Sequence, residues 1–210
     1  MPSCVLVRTL LRLALRACLM LLVTPAAHAA LTLTGGTPAQ QNQVQRAYDA
    51  LPLCCRTSCH VCVRLLNNSV MDAYLQDKAT AQSVRLMDAG AIDGLYQNAA
   101  RTITLRASSP TADVSATFLH EYGHCFWLNA LSSSQRVRYV SVYDRQRRDH
   151  HLGSQYAAVS VEEGFAEAFS LYIREHDHLA QCDPLSCCFL ANALPSSTPD
   201  ELHHRMNTRP

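Results

Sequence analysis

The sequence predicts a single α+β domain, with short strands in its first half and long helices in its second half. Four segments with strand character lie between residues 61 and 105, and the two longest segments with helical spacing lie after residue 108. Strands followed by helices, without alternation, are typical of the α+β class. We find no internal repeat and no linker, so residues 30–210 are expected to form one domain. Its core is expected at about 40–175, followed by a cysteine-containing extension at 176–210.

The composition is that of a globular protein. Of the 210 residues 48% are hydrophobic, and 18 basic side chains face 17 acidic ones, which leaves a formal net charge of +1. A coiled coil, a collagen or a disordered chain is excluded, and so near-neutral a chain gives no electrostatic support for binding a nucleic acid. Beyond the N-terminal segment, no run approaches the roughly 20 apolar residues that span a bilayer.

Residues 1–29 have the features of a secretory signal peptide. They combine Arg8, Arg12 and Arg16 with an apolar run at 17–23, no acidic residue, and a small-residue cleavage pattern at 27–29. The same arginine spacing on a leucine-rich segment leaves a mitochondrial transit peptide as the alternative. We therefore expect a secreted or periplasmic protein, with the mitochondrion as the alternative, and no membrane association once the segment is removed.

The remaining 181 residues contain an even number of cysteines, which in an exported chain indicates disulfide bonds. They are Cys54, Cys55, Cys59, Cys62, Cys125, Cys182, Cys187 and Cys188. Neighbouring cysteines rarely bond to each other, so we expect the N-terminal cluster to be linked to the C-terminal one. A bridge of this kind is expected to anchor Cys125 and the helix around it.

The elements of the first half follow from periodicity. Residues 40–51 have apolar side chains at helical spacing and precede a proline, which predicts a short helix after a loose lead-in. Residues 61–66 and 84–87 are expected to be strands. Two further strands, at 92–96 and 102–105, are separated by a turn-like segment and are expected to form a hairpin.

Helices dominate the second half. Ser109 and Pro110 fit the N-cap and first position of a helix that continues to about residue 131. A polar, arginine-rich connection is expected at 132–154, and a second strong helix at 159–175. A short helix is expected near 184–193, before a polar tail.

The first long helix contains the pattern H-E-x-x-H at residues 120–124. Because four residues make just over one helical turn, His120 and His124 project from the same face and can hold one Zn²⁺. Glu121 lies between them, where a carboxylate can accept a proton from water at the metal. This is the strongest functional signal in the chain.

The third ligand determines the class of site. The positions that hold glycine and a third histidine in long-motif metalloproteases are here Trp127 and Ala130, so that class is excluded. The later helix offers Glu163 and Glu167, which share the face opposite its apolar stripe. One interpretation is that both carboxylates lie on a solvated acidic face. The other is that they belong to a metal site, because two like charges four residues apart repel each other and a bound metal would remove this penalty. Glu162 is the competing ligand, about 100° further round the helix.

These segments resemble a known family. Residues 119–124, residues 163–169 and Tyr156, seven positions before Glu163, are similar to the catalytic domain of anthrax lethal factor and the secreted Pro-Pro endopeptidases. The hairpin at 93–105 is similar to the edge strand and its neighbour in such domains. The resemblance covers about residues 40–175 and implies a gluzincin-type, zincin-like fold. Such a fold has a small antiparallel or mixed sheet with an edge strand, an active-site helix and a C-terminal helical subdomain, here expected to be stapled by disulfides.

The resemblance also implies roles and a function. Glu163 would be the third ligand of one zinc ion, Glu167 a partner of a ligand histidine, and Tyr156 a phenol that stabilises the oxyanion. The expected activity is that of a monomeric secreted endopeptidase, in which Glu121 assists attack of zinc-bound water on a peptide or protein bound as an extended strand. The alternative is a catalytically silent, secreted zincin-fold protein that binds metal or a partner.

Overall fold

The structure is a computed structural model, and it describes residues 31–82, 92–108 and 113–194. Within these residues a four-stranded sheet has the order β1-β2-β4-β3. The β1–β2 and β2–β4 pairs are parallel, and β3 pairs with β4 in the antiparallel direction. The strands are β1 (Thr32–Gly35), β2 (Cys62–Leu66), β3 (Gly94–Gln97) and β4 (Thr102–Arg106).

Eight α-helices surround this sheet in the described part of the chain. They are α1 (Pro38–Ala50), α2 (Leu53–Ser58), α3 (Asn68–Gln82), α4 (Ser115–Asn129), α5 (Ser133–Arg148), α6 (Val161–Arg174), α7 (His176–Cys182) and α8 (Pro184–Ala193), and a 3-10 helix lies at Tyr156–Ala158. None of the helices described is both long enough and apolar enough to cross a bilayer.

The sheet presents its central strands to the core and has a short strand at each edge, β1 and β3. In β2 the alternate residues Val63 and Leu65 are buried, as expected for a strand with one face on a core, whereas β4 is buried at all four residues from Ile103 to Arg106. All four residues of β3 are only partly buried. Among the described strands β3 therefore forms the open edge that lies beside α4.

Helices α4 and α6 form the centre of the molecule. They cross closely at Gly123, where an added Cβ would lie 2.9 Å from the Cα of Ala166, so a larger residue would push the helices apart. Ser170 Oγ donates to the Ala116 carbonyl at 3.2 Å, which shows that the helices run antiparallel. Phe165 and Phe169 stack among the aromatic rings of α4, α5 and α8. This packing fixes the polar faces of the two helices relative to each other.

A buried arginine fixes the start of the edge strand. The Arg106 side chain is 6% exposed and contacts Asp72 at 2.8 Å and Asp93 at 3.7 Å. Its Nε donates to the carbonyl of Ile92 at 3.0 Å, and its backbone N–H donates to the carbonyl of Asp93 at 2.7 Å. The residues that lead into β3 are therefore held by both the side chain and the main chain of β4.

Most of the predicted elements are confirmed. The helix expected at 40–51 is α1, the strand at 61–66 is β2, and the hairpin is formed by β3 and β4. The helix expected at 159–175 is α6. The predicted start of α4 at Ser109 and Pro110 is wrong, because residues 113–114 are not helical and the helix begins at Ser115. The strand expected at 84–87 and the signal peptide at 1–29 lie outside the described residues.

Two segments that were expected to be irregular are ordered elements. The lead-in before α1 contains β1, which pairs with β2. The polar connection contains α5, which begins with a capping box between Ser132 and Gln135 and buries only Tyr139, Tyr143 and Gln146. Because so few side chains of α5 are buried and most of the others are polar, its sequence shows little of the apolar periodicity that predicts a helix.

The predicted disulfides are not present in the structure. All eight cysteines between residues 54 and 188 carry free thiols. The N-terminal cluster lies beside α4, whereas the C-terminal cysteines lie on α7 and α8, which pack against α5 and α6. Hydrogen bonds connect α4 to the N-terminal cysteine cluster without a disulfide at Cys125. The buried hydroxyl of Tyr122, in α4, lies 3.0 Å from the carbonyl of Cys55 and 2.9 Å from that of Cys59. The fold is therefore a mixed α+β fold without disulfide bonds between these cysteines.

Candidate metal centre

Helix α4 brings the two histidines of the H-E-x-x-H pattern together. Their Nε2 atoms lie 3.2 Å apart, and their side chains are 11% and 18% exposed, for His120 and His124 respectively. The rings meet edge to face, with centroids 4.9 Å apart. The backbone of an unbroken helix thus places both nitrogens on one face, as the spacing predicts.

Helix α6 adds a carboxylate to the pair. Its first turn is fixed by Ser160, whose hydroxyl accepts the backbone N–H of Glu163 at 3.1 Å. Glu163 Oε2 then lies 3.0 Å from His120 Nε2 and 3.3 Å from His124 Nε2. Glu162 is exposed and lies outside this group. The structure therefore brings together His120, His124 and Glu163, and not Glu162.

These three residues could hold one metal ion. In the described part of the chain they are the only group of three or more histidines, cysteines and acids whose ligand atoms lie within 4.8 Å of one another. Ligands about 2.1 Å from a tetrahedral zinc ion lie roughly 3.4 Å apart, close to the observed 3.0–3.3 Å. Two imidazoles and one carboxylate are a ligand set of catalytic zinc sites, which keep a fourth position open.

The electrostatics of the group are those of a preformed cation site. Burial opposes the charge of Glu163, but hydrogen bonds and charges from both histidines outweigh it and hold its pKa at about 2. Burial likewise lowers the pKa of His120, yet hydrogen bonds to Glu163 and Glu167 raise it to about 9. A metal ion binds neutral imidazole, so it would replace a proton in this cluster.

Glu167 lies one turn after Glu163 and contacts the other nitrogen of His120. The distance between Glu167 Oε1 and His120 Nδ1 is 3.4 Å. Histidines that bind metals commonly donate this second N–H to a carboxylate, which fixes the orientation of the ring. Glu167 therefore lies within reach of His120 Nδ1, and its role as a partner of a metal ligand stays a prediction.

Glu121 is buried beside the edge strand. It is 7% exposed and lines the cleft next to Gly94 and His120. Its pKa is raised, mainly because burial disfavours the carboxylate, while the charges of His124 and His120 and a backbone hydrogen bond from Tyr96 act in the opposite direction. A basic carboxylate next to the candidate metal position is able to accept a proton.

Tyr156 lies on the 3-10 helix before α6, opposite the histidines. Its ring centroid is 5.6 Å from that of His120, and the residue is 54% exposed. Burial of the hydroxyl, the charges of Glu163 and Glu121 and a hydrogen bond to Glu163 raise the pKa of Tyr156 to about 12. The phenol therefore keeps its proton at neutral pH and can act as a hydrogen-bond donor.

A cleft of about 440 Å³ connects these groups with the edge strand. One part is lined by His120, Glu121, Tyr156 and Glu167 together with the start of β3. The other part lies between the first turn of α4 and the last turns of α6, and includes Arg174. A binding cleft that joins an open strand edge to a candidate metal site can receive an extended chain.

Two residues of the cleft were not singled out from the sequence. Gly94 contacts Glu121 so closely that a side chain would not fit, and a glycine inside a predicted strand was an available signal of such a contact. Arg174 faces the cleft from the last turn of α6. A single arginine at a helix end is common, so its sequence position carries no signal of this kind.

Comparison with solved structures finds a similar fold. No family model matches the sequence, and no curated protein matches it. Among solved structures, the fold is similar to that of the Pro-Pro endopeptidase PPEP-2 from Paenibacillus alvei, with a TM-score of 0.54 and 15% sequence identity. The match covers 77% of this chain and 96% of that one. At this identity the similarity concerns the fold, so the chain combines a metallopeptidase-like fold with a His-His-Glu group.

Proposed function

We propose that this chain is an exported, monomeric zinc endopeptidase, distantly related to the Pro-Pro endopeptidases and the lethal factor catalytic domain. The observation that carries the proposal is the triangle of His120, His124 and Glu163, with Glu121 beside it in a cleft bordered by an open strand. The metallopeptidase-like fold supports it independently. Export rests on the sequence features of residues 1–29.

The three residues of the triangle would hold the ion. Two neutral imidazoles and one carboxylate leave the ion with a net positive charge and an open position. Zinc at such a site supplies Lewis-acid chemistry, which polarises a carbonyl and lowers the pKa of a bound water to roughly 7. Glu167 would orient His120 through its Nδ1 atom.

Glu121 would act as the general base and then the general acid. Its carboxylate accepts the proton of the attacking water and later delivers it to the nitrogen of the leaving amine. Burial raises the pKa of Glu121, and a higher pKa makes a carboxylate a better proton acceptor. The close contact with Gly94 restricts the directions in which this side chain can point.

Tyr156 would stabilise the charge that develops on the carbonyl oxygen. Because its pKa is raised to about 12, its hydroxyl remains a donor throughout the neutral pH range. Its exposure at the mouth of the cleft leaves the hydroxyl accessible to a substrate. A donor directed at a developing oxyanion strengthens its interaction in the transition state, which is the condition for catalysis.

The substrate would be an extended peptide that adds to β3. One edge of β3 pairs with β4, and the first residue of β3, Gly94, lines the cleft together with Ile92 and Asp93. Main-chain hydrogen bonds along this edge would set the register of the peptide. The side chains of the peptide would bind in the surrounding pockets, which would determine specificity. The buried Arg106 contacts described above would keep the edge in place during binding.

The test combines metal content with peptide cleavage. The purified chain is expected to bind one zinc ion per molecule and to cleave members of a random peptide library. Glu121→Gln should retain zinc and lose turnover by at least about 10³-fold, since the base is removed without a ligand. Glu162→Gln, an exposed neighbour of the ligand Glu163, is the matched control and should behave as the wild type.

The possible outcomes separate the proposal from its alternative. Zinc binding without cleavage of any peptide would favour a catalytically silent metal-binding or interaction protein. Absence of zinc, or full activity of Glu121→Gln, would overturn the proposed function itself.

A further inference from the structure

The cleft has a second charged region, at the end away from the candidate metal position. Arg174 is the only lysine or arginine among the residues that line the cleft in the described part of the chain. The acidic residues of the lining, Asp93, Glu121 and Glu167, lie near β3 and the histidines. Among the residues that line the cleft, the acidic side chains therefore lie near the candidate site and the one basic side chain lies at the far end.

The antiparallel packing of α4 and α6 creates this arrangement. Moving along α6 from Glu167 to Arg174 corresponds to moving along α4 from His120 towards its first turn, as the contact between Ser170 and Ala116 shows. Seven helical residues cover about 10 Å. An extended peptide spans this distance in about three residues.

The walls between the two regions are suited to an aliphatic stem. Ala116 and Leu171 line this part of the cleft. The hydroxyl of Ser170 is directed at the backbone of α4 and is occupied there by the Ala116 carbonyl. A side chain with methylene groups and a terminal charge could thus pack against this lining and place its charge at the guanidinium.

Arg174 is only weakly neutralised by its neighbours. Its Nη2 lies 3.3 Å from Glu175 Oε1, in a pair whose side chains are 27% and 46% exposed. An exposed pair of this kind contributes only about 0–1 kcal/mol, so a ligand can compete with it. Asp113 lies near enough for the positive charge of Arg174 to help lower its pKa, but its carboxylate accepts the N–H of Ser115 at 2.9 Å.

We propose that Arg174 binds a carboxylate of the substrate, so that the enzyme prefers peptides with an acidic group within about three residues of the cleaved bond. This inference rests on the proposed function and names the substrate class of the same cleft. The carboxylate comes either from an Asp or Glu side chain or from a free C-terminus. Both sources present the same planar group to the guanidinium, and the experiment separates them.

The test measures binding, so that it does not depend on cleavage. The zinc-loaded full-length Glu121→Gln chain is titrated with fluorescein-labelled random octapeptide pools, in which one position at a time is fixed as Glu, Gln or Lys. Each pool is made with a free and with an amidated C-terminus. We expect the Glu pools at one or two positions, or the free-carboxylate pools, to bind at least about tenfold more tightly than their neutral counterparts.

The arginine is then tested in the same background. Arg174→Gln should abolish the preference for the carboxylate, and Arg174→Glu should reverse it in favour of the Lys pools. Arg147→Gln is the matched control, because Arg147 is also a basic residue in the last turn of a helix, is exposed and lies outside the cleft lining, and it should leave the preference unchanged. Tighter binding of the Glu pools than of the Gln pools indicates a side-chain carboxylate. Tighter binding of the free pools than of the amidated pools indicates a terminal carboxylate.

Each outcome decides the inference. Equal binding of acidic and neutral pools, a preference that survives Arg174→Gln, or no binding of any pool would overturn it. The inference is supported if Arg174→Gln loses the preference for the carboxylate and Arg147→Gln keeps it, even if the wild-type chain cleaves no peptide. In that case the proposed function fails and the carboxylate site stands, so the two failures are distinguishable.

Discussion

Gly94 of the edge strand lies directly against Glu121 of helix α4. A Cβ atom at Gly94 would be 2.7 Å from Glu121 Oε1, 2.8 Å from Glu121 Cγ and 2.6 Å from the methyl group of Thr117. These distances are shorter than ordinary van der Waals contacts, so a side chain at this position would displace its neighbours. The absence of a side chain at Gly94 therefore determines where the carboxylate of Glu121 can lie.

Gly94→Ala is predicted to impair turnover more than folding. The added methyl group meets the Thr117 methyl group and both Cγ and Oε1 of Glu121. These are side-chain atoms, so we expect the two side chains to shift without unfolding the protein, and the Glu121 carboxylate to leave its productive position. A displacement of about 1 Å in an active site can cost about 10²-fold in rate, and we expect a loss of this size in kcat with zinc content unchanged. The measurement is a kinetic comparison on one cleaved peptide, together with zinc analysis and thermal unfolding.

A second glycine provides the control for this prediction. An alanine at Gly153 would meet only the tip of Leu171, at 2.8 Å, and is away from Glu121. Because Leu171 lines the far part of the cleft, Gly153→Ala should change KM at most and leave kcat unchanged. If Gly94→Ala is as active as the wild type, the contact with Glu121 has no role in positioning the base.

The ligand assignment predicts a sharp difference between two adjacent glutamates. Glu163→Gln should lower zinc affinity by at least about 10²-fold, since it removes a charged ligand from a three-residue site. Glu162→Gln should retain zinc, because this side chain is exposed and outside the group. Competition with a chromogenic chelator measures both affinities. Retained zinc in Glu163→Gln would contradict the site described here.

Tyr156→Phe is predicted to lower kcat without affecting metal binding. The hydroxyl forms a hydrogen bond to Glu163 but is not itself one of the three candidate ligands, which all remain in Tyr156→Phe, so the variant should still bind one zinc ion. Loss of one donor to an oxyanion typically costs about 10²–10³-fold in kcat. Steady-state kinetics on the same peptide would show this loss with little change in KM. A change confined to KM would instead assign Tyr156 to substrate binding.

How far the sequence predicts this molecule depends on the range of the interactions involved. The candidate ligands His120 and His124 were predictable because they follow helical spacing, and Glu163 because it lies opposite the apolar stripe of the later helix. The edge hairpin was predictable because both of its strands flank a turn. These are local patterns, and local patterns persist in the folded chain.

The features that were missed depend on contacts between distant segments or on weak periodicity. Strand β1 is a Thr/Gly-rich segment that becomes a strand by pairing with β2, 30 positions later. Helix α5 buries three side chains, so its capping box was a better indicator than its apolar pattern. The contact between Gly94 and Glu121 arises only when the hairpin packs on α4, and no spacing rule describes it.

The thiols provide a test of the correction to the predicted disulfides. The cysteines between residues 54 and 188 should all react with an alkylating reagent in denaturant without a reductant, since the structure contains no bond between them. In the native protein Cys62 and Cys188 are exposed and should react first, whereas Cys59 and Cys125 are each 1% exposed and should be protected. Mass spectrometry of the labelled peptides measures both results. A pair that reacts only after reduction would show a disulfide.

The C-terminal extension is stabilised by a buried carboxylate. Asp183 is 1% exposed and caps α8, where its Oδ1 accepts the backbone N–H of Ser186 at 3.0 Å. The same oxygen accepts a hydrogen bond from Nε2 of Gln146, which is also buried. Burial raises the pKa of Asp183, although these hydrogen bonds and the charge of His151 oppose the shift.

Two substitutions at Asp183 should therefore have opposite effects. Asp183→Ala removes both acceptor contacts and leaves Gln146 without this partner, which should cost about 1–3 kcal/mol of unfolding free energy. Asp183→Asn keeps an oxygen at the Oδ1 position and avoids burying a charge. We expect it to be at least as stable as the wild type at pH 7.

The pH dependence checks the sign of this argument. Because the folded-state pKa of Asp183 is raised, the unfolded chain loses the proton first as the pH increases, and the wild type loses stability relative to Asp183→Asn above the ordinary aspartate pKa. The difference should be smallest near pH 4 and reach a plateau once the folded protein is also ionised. Urea unfolding of both proteins across this range measures it, and Asp144→Asn, which removes an exposed charge from the helix that contains Gln146, is the control. A wild type that gains stability over Asp183→Asn with rising pH would show that the hydrogen bonds outweigh burial.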